Sequence, residues 1–288
     1  MSSLCNKTVP VFIISFNRVA YIRQVIDRLE SLDFQNITII DNASTYEPLK
    51  DYLGQSPHNV VRLTENLGHL ALWKSGRFQK IIEREKFILN DSDVVPADDC
   101  PADITSHLDE MLERYPRHTK AGLSLRINDL PDHYAFKQEV LEWEAPFWVN
   151  LLDDGNYESA LDTTFALYRP GVDCSEERWW RSIRAAPPYS ALHLPWYQDT
   201  SVMSEEDRFY QRAVAGISSQ WSITDPVLLK KQNTELQHEI AALKRTISEL
   251  RGQSMPVGSP AWRNTVRTTL GATGLLPLVR RLRDTMKK

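Results

Sequence analysis

Two carboxylates one residue apart, Asp91 and Asp93, close the apolar run "KFILNDSDVVP" at residues 86–96. Carboxylates at that spacing are hard oxygen ligands, able to hold Mg²⁺ or Mn²⁺ beside a diphosphate; the plainer reading is a strand end followed by a helix cap. Three earlier apolar runs also end in polar groups. Ser15, Asn17 and Arg18 follow the first, Asp41, Asn42 and Ser44 the second, and Glu65, Asn66 and Gly68 the third. An aspartate directly after a strand can accept from a ribose hydroxyl or a base N–H, a role open to Asp41. Neither G-x-G-x-x-G after the first run nor G-x-x-x-x-G-K-[ST] anywhere occurs, which disfavours a dinucleotide enzyme and a P-loop ATPase.

The elements that must position these groups alternate in period. "VPVFIISF" (9–16), "NITIID" (36–41), "NVVRLT" (59–64) and "KFILND" (86–91) read as strands. Between them lie helical patterns at 19–32, with Ile22, Val25, Ile26 and Leu29 on one face, at "YEPLKDYL", and from about 70 to 83. Strand–helix alternation of this length predicts an α/β fold with a mostly parallel sheet covered on both faces. Ligands of such sheets lie beyond the C-terminal strand ends, which is where the polar sets fall.

With those residues in order, the chain resembles the nucleotide-sugar glycosyltransferases of the Rossmann-like GT-A fold, most of all family 2 and its bacterial surface-polysaccharide relatives. "VFIISFNR", "ITIIDNAST", "TENLGHLALWKSG" and "FILNDSDVVP" are similar to that family's successive strand-end motifs, the last to its D-x-D motif, over about residues 9–96. The resemblance implies that Asp41 binds the nucleoside of a donor, most simply a UDP-sugar. Ser15, Asn17, Arg18, Asn42, Asn66, Gly68 and Asp91 would complete the donor pocket. Asp91 and Asp93 would hold Mn²⁺ or Mg²⁺, and His193, in "YSALHLPWYQDT" (189–200), would be a third metal ligand. A lone histidine in an apolar run is otherwise a core residue.

The second half carries the acceptor side. A helix is expected from about 102 to 115 and a return to the sheet at "AGLSLRI" (121–127). Trp143, Trp148 and Trp196 are candidates for a sugar platform, with core packing as the alternative. "ALDTTFALYRPG" (160–171) reads as β-rich, and its position in the resemblance puts Asp162 near the reaction centre as the first candidate for the base. Glu205 and Glu206 follow as base candidates. They also open a helix in which Ser204 and Asp207 form a capping box, so they can serve that first turn alone.

Composition bounds the rest. The 288 residues are 42% hydrophobic and 25% charged, as in ordinary globular proteins, and the three cysteines have no metal-ligand spacing, which suits a reducing compartment. No run is apolar and long enough to span a bilayer, and no signal peptide is evident at the start. A body of net charge about −12 over residues 1–225, the expected catalytic domain, is joined to a tail of about +8. Leu229, Leu236, Leu243 and Leu250 recur every seven residues with Asn233, Ile240 and Ile247 between them, predicting a homodimeric coiled coil over 227–251, with a single helix packed on its own domain as the alternative. After a linker at 252–260, residues 261–288 carry seven basic groups against Asp284 on an amphipathic pattern that suits an anionic membrane surface and disfavours nucleic acid. Together these predict a cytoplasmic, peripherally membrane-associated transferase acting on a saccharide, lipid-linked in the simplest case. A sugar-phosphate nucleotidylyltransferase and a non-catalytic dimeric scaffold are the alternatives.

Overall fold

The computed structural model describes residues 4–162, 164–175, 181–199 and 202–214. The chain divides into two units, Met1–Ile223 and Thr224–Lys288, and all described residues belong to the first. The coiled-coil and amphipathic-tail expectations lie outside the described residues. No helix among the described residues is long and apolar enough to cross a membrane.

Five-residue strands β1 (Val11–Ser15) and β2 (Ile37–Asp41) are nearly free of polar side chains until their last position, as expected of strands buried on both faces. With β3 (Asn59–Arg62) and β4 (Phe87–Asp91) they form a parallel array in the order β3-β2-β1-β4. The register sets Ser15 opposite Asp41 and Ile14 opposite Asp91, so the polar strand ends share one edge. Alternation sorts side chains between two cores. Val11, Ile13, Ile37, Ile39 and Ile88 pack with helix α1 (Val19–Ser31), α2 (Glu47–Gly54) and α5 (Ile104–Arg114), whereas Phe12, Ile14, Ile40, Phe87 and Leu89 pack with α3 (Ala71–Lys74) and α4 (Gln79–Arg84). The single helix expected over about 70–83 is thus two short ones, separated at Gly76, whose φ of 66° ends the first.

Beyond β4 the sheet becomes mixed: β4-β8-β6-β9-β5, with β5 (Val94–Pro96), β6 (Lys120–Leu125), β8 (Ala166–Tyr168) and β9 (Ser182–His193). Strand β8 runs antiparallel to both neighbours, β6 and β9 are parallel, and β5 is antiparallel to β9. The sheet is therefore mixed but mostly parallel, with helices on both faces, and among the described residues of the expected β-rich stretch only Ala166–Tyr168 form a strand. A two-residue strand, β7 (Tyr157–Glu158), adds to β9, and helix α6 (Lys137–Glu144) precedes it in the chain.

Gly122 explains how the segment before β8 lies so close to β6. A Cβ there would fall on the Leu161 side chain and within 2.7 Å of the Phe165 carbonyl oxygen. Gly122→Ala is expected to cost about 1–3 kcal/mol through overpacking, read as a lower urea midpoint with an unchanged slope.

Candidate functional site

Strand β4 ends at Asp91, and the chain turns through Ser92 and Asp93 into β5. Two backbone hydrogen bonds fix that turn: Ser92 N–H donates to Ile14 O (3.2 Å) and Leu194 N–H donates to Asp93 O (2.8 Å). The buried Asn90 side chain also donates to Val94 O at 2.8 Å. Since Val94 pairs with His193, the end of β9 is carried beside the acidic turn, and His193 Nε2 lies 3.7 Å from Asp93 Oδ2. Burial holds the His193 imidazole below its ordinary pKa, partly opposed by Asp93, so near neutral pH it is uncharged. Its Nδ1 is buried and has no hydrogen-bond partner.

Two cavities open on this edge. One, of about 290 Å³, is walled by Arg18, Asn42, Asn66, Gly68, Asp91 and Asp93 with His193, and Tyr210 closes its side. The other, about 450 Å³, lies between Trp143, Phe147, Trp196, Asp162 and the Glu144–Arg184 pair. Both are in or near the range of about 300–1,000 Å³ usual for small-molecule sites. Asp91 and His193 line both.

The strand-end residues differ in what they do. Asn17, at φ 51°, accepts from Thr45 and Tyr46 N–H through its side-chain oxygen (2.7 and 3.0 Å), and Asp41 accepts from Ser44 N–H at 3.0 Å. Asn42 donates to Asn66 Oδ1 (2.7 Å) and Gly68 O (3.1 Å) and accepts from Leu67 N–H (2.8 Å). These bonds tie the loops after β1, β2 and β3 into one wall. Ser15, Asn17 and Asp41 are buried within that wall and do not line the smaller cavity, whereas Arg18, Asn42, Asn66 and Gly68 do.

Arg18 is the smaller cavity's buried cation. Its guanidinium lies 3.9 Å from the Tyr210 ring centre and 4.8 Å from that of Tyr21, 3.5 Å from Asp207 and 4.0 Å from Asp93. Its Nε has no partner. Tyr210 and Asp207 belong to helix α7 (Glu205–Ala213), which opens on the expected capping box: Ser204 Oγ accepts from Asp207 N–H at 3.0 Å and the Asp207 carboxylate from Ser204 N–H at 3.2 Å.

Glu206 has a different task from the base role. Its carboxylate accepts from Val19 N–H (2.7 Å) and Ala20 N–H (3.2 Å), supplying the cap that Arg18, the N-cap residue of α1, does not provide. Glu205 is exposed on the first turn of α7, and neither glutamate lines either of these two cavities. Glu206→Ala is expected to cost about 0.5–2 kcal/mol by removing the cap of α1, seen as a lower melting temperature. Turnover per folded molecule should be retained.

Asp162 lies in the larger cavity on a segment gripped from beneath. The fully buried Lys120 ammonium donates to the carbonyls of Leu161 and, at 3.2 Å, Asp162, and Arg184 Nε donates to Ala160 O at 2.9 Å. Three consecutive carbonyls are thereby held by two buried cations. Arg184 also pairs with Glu144 at 2.6 Å and covers the Phe147 ring at 4.2 Å. Burial raises the Glu144 pKa, and Arg184 opposes that rise. Trp143 and Trp196 line this cavity; Trp148 does not, its ring meeting Tyr157 edge-on at 5.2 Å.

Lys120, Glu144, Thr164, Arg184 and Tyr210 were not among the residues singled out by sequence. The available signal was a charge inside a buried apolar pattern, as in "SIRAA" around Arg184 and "KAGLSL" at the start of β6.

Asp91, Asp93 and His193 carry oxygen and nitrogen donors of the kind Mn²⁺ or Mg²⁺ takes, and His193 lies beside Asp93 on this edge. Among the described residues, however, no three His, Cys, Asp or Glu side chains converge to hold an ion on their own. Mg²⁺ sites commonly use one or two carboxylates completed by substrate phosphates and water rather than a protein cage.

No protein-family model matches the chain, and no curated protein matches it. Among solved structures, the chain is similar to a mannosyltransferase, PcManGT from Pyrobaculum calidifontis, in complex with GDP-Man and Mn²⁺. The two share 14% identity, the match covers 96% of this chain and 90% of that one, and the TM-score is 0.38.

Proposed function

We propose that the chain transfers a sugar from a nucleoside-diphosphate sugar to a saccharide acceptor. The observation that carries this reading is the pair of cavities sharing Asp91 and His193, one walled by strand-end loops around a buried guanidinium, the other lined by aromatic rings and carboxylates. In this reading the nucleoside diphosphate occupies the smaller cavity. The acceptor occupies the larger one, and the anomeric carbon sits at the Asp91–His193 junction.

Asp91 and Asp93, with His193, would hold the divalent ion, which when bound offsets the charge of the diphosphate. Arg18, kept in place by Tyr210 and Asp207, adds a cation at the leaving-group side that needs no rearrangement. Asp162 takes the proton of the attacking acceptor hydroxyl as its oxygen bonds to the anomeric carbon. The bond from that carbon to the diphosphate oxygen breaks, and its electron pair leaves with the diphosphate. Lys120 and Arg184 hold the Asp162 backbone segment against drift.

The reading is tested by incubating the full chain with a panel of UDP-, GDP- and dTDP-sugars, Mn²⁺ or Mg²⁺ and saccharide acceptors, with product analysis. A glycosylated product from one donor supports it; in a parallel incubation with nucleoside triphosphates and sugar phosphates, formation of a nucleoside-diphosphate sugar would move the chain to the nucleotidylyltransferases. The heptad leucines and basic tail support a dimer at an anionic membrane surface on the cytoplasmic side, where a lipid-linked acceptor would be met. Sedimentation should give a dimer that becomes a monomer on truncation after Pro226.

A further inference from the structure

On the sheet edge opposite the donor and acceptor cavities, the strand ends enclose a third cavity, of about 330 Å³. It forms where β6 begins, β8 ends and β9 begins. Lys120 pairs with both Tyr168 and Ser182, so Thr119, Arg169 and Arg181 meet just beyond them. The backbone ladder continues there, Arg169 N–H donating to Thr119 O (2.9 Å) and Thr119 N–H to Arg181 O (2.8 Å). Strand β6 spans the sheet between this cavity and the catalytic edge, roughly 17 Å at about 3.3 Å per residue. The cavity differs from its surroundings in charge. Its lining includes three guanidiniums, Arg117, Arg169 and Arg181, and one carboxylate, Asp173, while the His118 imidazole beside them is bonded to Glu158 at 2.7 Å. Glu113 of α5 feels Arg169 from outside the lining and is itself bonded to Lys86 at 2.7 Å. On a body of net charge about −12, a lining charge of about +2 runs against the composition. Backbone carbonyls orient these arginines. Arg169 donates from Nε to His118 O (2.9 Å) and from Nη2 to Leu112 O in the last turn of α5, and Arg181 Nε donates to Arg117 O at 3.1 Å. A carbonyl fixes a guanidinium without offsetting its charge, and among the described residues neither Arg117 nor Arg169 has a carboxylate partner. Arg169 thereby also caps α5, whereas Arg117 is exposed and its side chain has no such structural bond.

We propose that this cavity binds a terminal phosphate group, free or as a monoester, as a ligand separate from the sugar donor. Such a group carries a charge of about −1.5 to −2 near neutral pH, which offsets the lining charge, and its oxygens match the planar fork of a guanidinium. A carboxylate brings one charge and is satisfied by one fork, leaving the other arginines facing each other. A nucleic-acid backbone needs a run of cations along a groove, whereas these converge on one cavity in an acidic body. The site does not depend on the transferase reading, and it uses neither Asp91 nor Asp93.

The test is calorimetric titration of the full chain in EDTA, repeated with Mg²⁺, using inorganic phosphate, dihexanoyl phosphatidic acid below its micelle concentration, and acetate at matched ionic strength. Phosphate is expected to bind in EDTA, and acetate about tenfold more weakly or not at all. Arg117→Gln should weaken phosphate by about tenfold, the loss of one charge-assisted contact. Arg23→Gln, which removes the same charge from the exposed face of α1, should leave phosphate affinity unchanged. Without phosphate, Arg117→Gln should keep or raise the melting temperature, because one of three like charges leaves the cavity; a structural arginine would lower it. Added phosphate should then raise the melting temperature of wild type more than that of Arg117→Gln. Tighter binding of the phosphatidic acid than of inorganic phosphate assigns a lipid headgroup as the source, the reverse order a soluble phosphate, and either supports the site. No phosphate binding, binding only with Mg²⁺, equal affinity for acetate, or a phosphate affinity unaltered in Arg117→Gln or equally lowered in Arg23→Gln would each overturn the proposal.

Discussion

Asp91→Asn is expected to lower sugar transfer by about 10²–10³-fold, the range for removing one preorganised electrostatic contact at a reacting centre, while the protein stays folded. Asp91 lines both cavities, so its loss should be felt in donor binding and in turnover together. The substitution preserves size and removes charge, and Asp91 is only half-buried, so the melting temperature should move little. Steady-state kinetics with a saturating acceptor give the measurement. Asp91→Asn retaining more than half of wild-type kcat/KM would place the chemistry elsewhere.

Asp162→Asn is expected to lower kcat by about 10²–10⁴-fold, as for loss of a general base, with donor affinity unchanged. The contrast that matters is with Glu205→Gln and Glu206→Gln. Glu206 accepts from the first N–H groups of α1, and Glu205 is exposed away from both cavities, so neither change should reduce kcat per folded molecule comparably. A larger kcat loss in Glu205→Gln than in Asp162→Asn would reverse the assignment. Lys120→Met should act in the same direction as Asp162→Asn but more weakly, since it frees the Leu161 and Asp162 carbonyls without deleting the carboxylate.

The first half of the sheet was legible because β1, β2 and β4 are short, apolar and almost wholly buried, and each ends in a polar group at a common edge. That placed Asp91, Asp93, Asn42 and Asn66 correctly at strand ends. Their individual tasks were less legible, because whether Asn17 or Asp41 faces a ligand or a neighbouring loop depends on backbone N–H groups such as those of Thr45 and Ser44. The capping box of α7 is a four-residue signal and was readable. Its neighbour Glu206 caps a helix about 187 positions earlier in the chain, which no local pattern encodes.

Beyond β4 the determinants are long-range. Lys120 meets a carbonyl 41 residues on, and Glu144 meets Arg184 across 40 residues. The antiparallel insertion of β8 and the return of β9 to β5 are likewise set by pairing, not by periodicity. His193 was singled out by its place in an apolar run and by the family resemblance. Its placement 3.7 Å from Asp93 comes from the Val94–His193 register.

The central claim is that Asp91, Asp93 and His193 form a metal-assisted diphosphate site, and calorimetric titration of the full chain with UDP, GDP and dTDP tests it most directly. Each nucleotide is titrated in Mn²⁺ and again in EDTA, for wild type and Asp93→Ala. The account predicts that at least one nucleotide binds wild type in Mn²⁺, that EDTA weakens it by about tenfold or more and Mn²⁺ restores it, and that Asp93→Ala binds weakly in both buffers. Equal affinity in Mn²⁺ and EDTA, unaltered by Asp93→Ala, or no nucleotide binding at all, would contradict it.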